Sequence, residues 1–223
     1  MAKISDIKFF LFDMDGTLID SMPYWRLTTL EFLIKHGLPI GADTLSDFIY
    51  VSSRKLCSQI CEENGVYMTR EEIVGELERY MSRHYQNDVH KKPYIAEFLD
   101  KLKASGVKMS VATAAPRSIA ANALYKMDLL KYFDFVTDTY ELGVKKDGAE
   151  YFLKVAERMG TPIERCRVFE DALYAVRGVG SSSSIRTMRS FTFSPPESVP
   201  VSLSLQSSSG GSPNLPHMPE TCF

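Results

Sequence analysis

Residues 7–12 read Ile-Lys-Phe-Phe-Leu-Phe. They are nearly all apolar, do not alternate and are too few for a helix, which predicts a parallel strand covered on both faces. A different periodicity follows. Ser21 and Pro23 form a helix-start signal, and Leu27, Leu30, Leu33 and Ile34 recur at helical spacing up to a stop at Gly37 and Pro39. Further helical patterns cover about 54–63 and 70–85, the latter through Ile73, Leu77, Tyr80 and Met81, so residues 21–88 read as helix only. From Pro93 onward helix and strand alternate. A helix through Ile95, Phe98, Leu99 and Leu102 stops at Gly106 and leads to the strand Val107–Thr113. A helix from Pro116 to about Met127 precedes the strand Phe133–Thr137, and one from Gly148 to Met159 precedes the strand Arg167–Phe169. A βα repeat of this kind predicts a mainly parallel sheet with helices on both faces. The fold class is therefore α/β, with an all-helical segment inserted after the first strand.

The pattern breaks after Gly180. Residues 181–223 hold 13 Ser and 6 Pro but no Lys and no Asp. Such a segment buries too little apolar surface to offset its ordering entropy and is expected to be disordered, apart from one short edge strand at most. The resulting division is 1–20 with 89–180 as an α/β core, 21–88 as a helical unit and 181–223 as a tail.

Composition narrows the function classes. At 44% hydrophobic and 24% charged, the chain has the proportions of a globular protein. A net charge of −2 gives no electrostatic reason to expect nucleic acid or an anionic membrane as partner. The N-terminus has no apolar signal-peptide core and no run approaches a membrane span, so a cytoplasmic protein is expected. Cys57, Cys61, Cys166 and Cys222 lack zinc-site spacing. Cys57 and Cys61, one helical turn apart, read as small hydrophobes on a buried face. His36, His84, His90 and His217 belong to no motif, and Tyr24 and Trp25 read equally as pocket mouth or as packing.

Candidate chemistry begins where the first strand ends. Asp13 and Asp15 lie at its C-terminal end, where open parallel sheets place their ligand sites. Two carboxylates ahead of the permissive Gly16 can converge on one hard cation. Alone, such a turn is more often a helix cap than a site. The full segment Asp13-Met14-Asp15-Gly16-Thr17-Leu18-Ile19-Asp20-Ser21, however, resembles the first motif of the haloacid dehalogenase-like superfamily, in its β-phosphoglucomutase-like and phosphoglycolate-phosphatase-like branch. The later motifs follow in order: Val111-Ala112-Thr113, Lys145-Lys146-Asp147 and Val168-Phe169-Glu170-Asp171. The resemblance spans roughly residues 5–178.

The resemblance implies a Rossmann-like core with a helical cap and a magnesium-dependent phosphatase acting on a small phosphorylated metabolite, such as a sugar phosphate. Asp13 would be the nucleophile and Asp15 the acid/base. Mg2+ would be held by Asp13, the Asp15 carbonyl and Asp171, with Glu170 assisting through water. Thr113 would bind a phosphate oxygen. A lysine would supply positive charge, the spacing favouring Lys146 over Lys145. Arg54 and Arg117 are candidates for substrate binding, with solvated helix-end arginines as the bland alternative. No nucleic-acid or membrane partner is implied, and a monomer or weak dimer is expected.

Three further readings stand beside this one. A phosphomutase would use the same aspartates. A receiver domain fails on the long helical insert and on the position of the motif. The third is an inactive or phospholigand-binding product, because the family's last βα element is not recognisable after Gly178. The C-terminal edge element is expected to be missing or replaced, as by a frameshifted reading frame, leaving the strand of Glu170 and Asp171 without a neighbour.

Overall fold

A computed structural model of the protein describes residues 7, 9–41, 52–171 and 186–188. Strand β1, Phe9–Phe12, is followed by helices α1 (Met22–Lys35), α2 (Ser53–Glu63), α3 (Arg70–Asn87) and α4 (Ile95–Ala104). Then come β2 (Lys108–Thr113), α5 (Arg117–Lys126), β3 (Val136–Asp138), the short α6 (Thr139–Leu142), α7 (Ala149–Arg158), β4 (Cys166–Phe169) and β5 (Arg186–Met188). Among the described residues the five strands pair in parallel, in the order β3-β2-β1-β4-β5. The α/β reading is correct, and β1 lies at the centre because its side chains are apolar on both faces. Phe10 and Phe12 pack toward α4 and α5, with Leu99 and Leu124. Phe9 and Leu11 pack toward α7, with Tyr151, Phe152 and Val155. Stacking of Phe12 on Phe169, 4.5 Å between centroids, ties β1 to β4 and so aligns the strand ends that carry the acidic residues.

The inserted helices have a core of their own, made of Phe32, Leu33, Leu56, Ile60, Ile73 and Leu77 among others. Helix α3 begins with a reciprocal cap between Thr69 and Glu72. Cys57 and Cys61 are buried in this core, and burial pushes the Cys57 thiol up to about 12, the state of a packed hydrophobe rather than a reactive thiol. The chain leaves and re-enters the sheet through paired connectors. Asp20 N donates to His90 O at 2.9 Å, Lys92 N to Leu18 O at 2.9 Å, and Lys92 Nζ pairs with Asp20 at 2.7 Å.

Two expectations are corrected. The stripe assigned to α1 coincides only in part with its buried face: Leu33 is buried and Leu30 half-buried, but Leu27 and Ile34 are exposed, at 42% and 69%, while Thr28, Thr29 and Phe32 are buried. Helix α1 faces α2 and α3, and that docking overrides its own apolar pattern. The edge of β4 is also not bare. Arg167, Val168 and Phe169 pair with Arg186, Thr187 and Met188. An unpaired strand edge is a template for any extended segment, and residues 170–185 are long enough for the crossover a parallel pair requires. The rest of the 181–223 segment lies outside the described residues.

Candidate active site

The site is built at the C-terminal ends of β1, β2 and β4. Beyond β1, Asp13 N donates to Phe169 O at 2.9 Å, which extends the strand pairing and sets Asp13 beside Glu170. The chain then folds back, with Leu18 N reaching Met14 O at 2.9 Å and Gly16 N reaching Ile19 O at 2.9 Å. Gly16 takes φ +81°, and a Cβ there would run into the Asp171 carboxylate. Glycine is thus required both for the turn and for the approach of Asp171 to it.

Lys146, in the connector before α7, is buried. Its ammonium pairs with Asp13 and lies 2.9 Å from Glu170, whereas Lys145 is exposed. The carboxylates of Asp13, Glu170 and Asp171 come within 4.8 Å of one another. With Asp15 that makes four acidic groups around one ammonium. Burial pushes Asp13 well above the ordinary carboxylate range; Lys146 opposes this, and Glu170, Asp171 and Asp15 add to it. Burial and then Glu170 raise Asp171 to about 6. Burial alone would lower Lys146, but Asp13 and Glu170 hold it well above its usual value. A compact set of hard oxygen donors with surplus negative charge fits a hard divalent cation, and magnesium binds through one or two carboxylates with water and phosphate completing its shell.

Asp15 has different surroundings. Its Oδ1 accepts three hydrogen bonds, from Ser21 Oγ at 2.6 Å, Trp25 Nε1 at 3.2 Å and Tyr85 OH at 2.5 Å. Burial raises its pKa while these donors oppose the rise. All three donors belong to the helical insert. Ser21 makes no side-chain cap bond to α1, because its hydroxyl is committed to Asp15. Oδ1 is saturated, so a proton carried by this carboxyl sits on Oδ2.

Thr113 is fully buried at the end of β2, beside the Asp13 turn by strand register. Its hydroxyl accepts from Ala115 N at 3.0 Å. Asp13, Asp15, Thr113, Lys146, Glu170 and Asp171 are thus gathered at the same strand ends. The two arginines differ. Arg54 lies 3.6 Å from Glu78 at the edge of a cleft between insert and core. Arg117 is turned away: its backbone N–H donates to Asp138 and its guanidinium faces Glu141 at 3.5 Å. Sequence reasoning missed Ser21 and Tyr85. At helical spacing Tyr85 reads as a core aromatic and Ser21 as a cap, and nothing local marks the hydroxyl of either for a partner.

The family model for haloacid dehalogenase-like hydrolases matches residues 10–183. A phosphorylated carbohydrates phosphatase of Thermotoga maritima is 26% identical over 77% of this chain and 80% of its own length. A phosphoglycolate phosphatase of Shigella boydii is 28% identical over 72% of each chain. The crystal structure of a putative beta-phosphoglucomutase from Thermotoga maritima superimposes with a TM-score of 0.66 at 25% identity, covering 84% of this chain and 88% of that one.

Proposed function

The chain belongs to the haloacid dehalogenase-like hydrolases, and on that premise we propose that it is a magnesium-dependent phosphatase of a small phosphorylated metabolite, working through an aspartyl-phosphate on Asp13. The observation that carries this reading is the contrast between two neighbouring aspartates. Asp13 faces an ammonium inside an acidic cluster. Asp15 is held by three neutral donors on one oxygen. Burial raises both carboxyls, but Asp13 has the Lys146 ammonium paired with it to favour its ionised form. Among the described residues Asp15 is paired with no cation, and its bonded Oδ1 fixes the orientation of a carboxyl raised by burial, which suits a group that carries and returns a proton.

In this reading the Asp13 carboxylate attacks phosphorus in line while Asp15 Oδ2 protonates the departing alkoxide. Asp15, now ionised, takes a proton from the water that attacks the aspartyl-phosphate, and phosphate leaves with Asp13 regenerated. Lys146 balances the phosphate oxygens, and Thr113 offers its hydroxyl to one of them. Asp13, the Asp15 carbonyl, Asp171 and, through water, Glu170 would hold Mg2+, which when bound offsets the repulsion between the anionic nucleophile and the anionic phosphate. The helical insert, whose side chains reach Asp15, would act as the cap that excludes bulk water.

The test is phosphate release from an aryl phosphate with and without Mg2+, beside Asp13→Asn, together with the melting temperature in Mg2+ and in chelator. Turnover requiring both Asp13 and Mg2+, and a melting point raised by Mg2+, are the expected results. Turnover that survives Asp13→Asn sinks the proposal. The likeness to a putative beta-phosphoglucomutase favours, second, a mutase in which the intermediate rephosphorylates another hydroxyl. Isomerisation of a hexose phosphate without phosphate release distinguishes it.

A further inference from the structure

Helix α7 is keyed to the sheet at both ends. Toward its C-terminus Arg158 pairs with Glu141 at 2.7 Å and lies over the Phe135 ring at 4.5 Å, and Glu141 in turn accepts from the Thr137 hydroxyl at 2.9 Å. Toward its N-terminus the fully buried Tyr151 sends its hydroxyl to the ends of two strands. That hydroxyl lies 3.0 Å from the Thr113 carbonyl and 3.3 Å from the Thr137 carbonyl, its one proton shared between the two acceptors. The nearer carbonyl belongs to the residue whose side chain binds a phosphate oxygen in the reading above.

The second phosphate-binding group is tied to the same helix. Lys146 stands five positions before Tyr151, in the connector that leads into α7. Burial pushes the Tyr151 phenol above its ordinary range, with Lys146 opposing and Asp13 adding, so the hydroxyl keeps its proton and acts as a donor. Thr113 Oγ1 is itself held by Ala115 N, so the side chain moves with the local main chain. A phenylalanine would fill the same space, with its ring still edge-on to Phe152 at 5.5 Å, yet would leave the two carbonyls without that donor. Packing alone therefore does not require the hydroxyl.

We propose that Tyr151 is a positioning residue whose hydroxyl fixes the Thr113 main chain against α7 and so sets the gap between the Thr113 hydroxyl and the Lys146 ammonium that receives the phosphoryl group. This rests on the phosphatase reading and adds to it a residue that touches neither phosphate nor metal. Phosphoryl transfer is catalysed mainly by placing the group among fixed donors and charges. A donor displaced by about 1 Å costs on the order of a hundredfold; loss of one fixing hydrogen bond permits a smaller shift, and about tenfold is expected. The tie acts on the phosphoryl side, so that loss is the same whichever leaving group departs, in contrast to a loss at the acid Asp15, which grows with the basicity of the leaving group.

The experiment uses the full chain with Mg2+ and compares wild type, Tyr151→Phe, Thr113→Val and the double variant. It reads kcat/KM for an aryl phosphate and a sugar phosphate, and the inhibition constant of inorganic phosphate. Tyr151→Phe is expected to lower kcat/KM about tenfold on both substrates and to weaken inhibition by phosphate by a similar factor. In the Thr113→Val background it should change either value less than about twofold, because the group it places is gone. A side chain that only supports the fold would lower activity by the same factor in both backgrounds and leave the phosphate constant of the folded enzyme unmoved. Values within about twofold of wild type, equal factors in both backgrounds, or a loss confined to one substrate overturns the inference while Asp13-dependent hydrolysis persists. Absence of that hydrolysis overturns the phosphatase reading instead, and the rise in melting temperature given by inorganic phosphate with Mg2+ then decides the role of Tyr151: a smaller rise in Tyr151→Phe than in wild type upholds it, and equal rises overturn it.

Discussion

Tyr85→Phe removes one hydroxyl and nothing else from the site, which makes it a sharp probe of how the insert controls Asp15. The Tyr85 bond is the shortest of the three on Asp15 Oδ1, at 2.5 Å against 2.6 Å for Ser21 and 3.2 Å for Trp25. Hydrogen bonds to a charged group contribute about 1.5–3 kcal/mol. If that contribution orients the carboxyl for proton transfer, its loss corresponds to about a tenfold to hundredfold fall in rate. The fall should depend on the leaving group. An alkoxide needs a proton from Asp15 in the transition state, whereas a nitrophenolate departs largely without one. Steady-state kcat/KM, which reports the steps up to phosphoryl transfer, should therefore drop tenfold or more for a sugar phosphate and far less for an aryl phosphate. The melting temperature is the control, because Tyr85 is buried and its ring still packs as Phe. Equal losses on both substrates, or a sugar-phosphate value within about twofold of wild type while Asp15→Asn is inactive, would refute the claim that the insert orients the acid.

Two further outcomes follow from the geometry. Gly16→Ala places a Cβ against the Asp171 carboxylate at a left-handed φ of +81°; it should cost about 1–2 kcal/mol in urea unfolding and abolish the Mg2+-induced rise in melting temperature, and an unchanged rise would contradict it. Glu76 is buried in the insert, where burial alone would raise its pKa, yet hydrogen bonds from Lys35, Tyr80 and His36 hold it at about 2. A depressed carboxylate adds stability that is present above its unfolded value near 4.3 and is lost as pH falls through about 2. Glu76→Gln should thus cost about 1.5–3 kcal/mol at pH 7, with the gap to wild type closing between pH 4.5 and 2 in denaturation curves; a gap constant over that range contradicts the assignment.

Local pattern was enough for β1 and for the acidic turn after it. A fully apolar strand running into Asp13-Met14-Asp15-Gly16 has few other places to go in a parallel sheet. The ends of β2 and β4 were legible as strand ends, and Thr113, Glu170 and Asp171 were singled out there by the resemblance of their motifs to those of the family. Lys146 was favoured over Lys145 by the spacing of the family's motif, and its burial against Asp13, with Lys145 exposed, agrees with that choice. These features depend on short-range periodicity and on motif order, both of which a linear sequence carries.

The tertiary structure decided the rest, because each remaining feature is a choice among partners far apart in the chain. Docking of α1 on α2 and α3 buries Thr28 and Thr29 and leaves Leu27 and Ile34 in solvent. Ser21, Trp25 and Tyr85 meet on one oxygen of Asp15 only because the insert folds back over the strand ends, bringing Tyr85 across 70 positions of sequence. The same docking leaves Glu78 facing the cleft and turns Arg117 toward Glu141. Periodicity reports which face of an element is apolar; which surface that face meets, and which polar group is left to complete a site, is settled by packing of the whole chain.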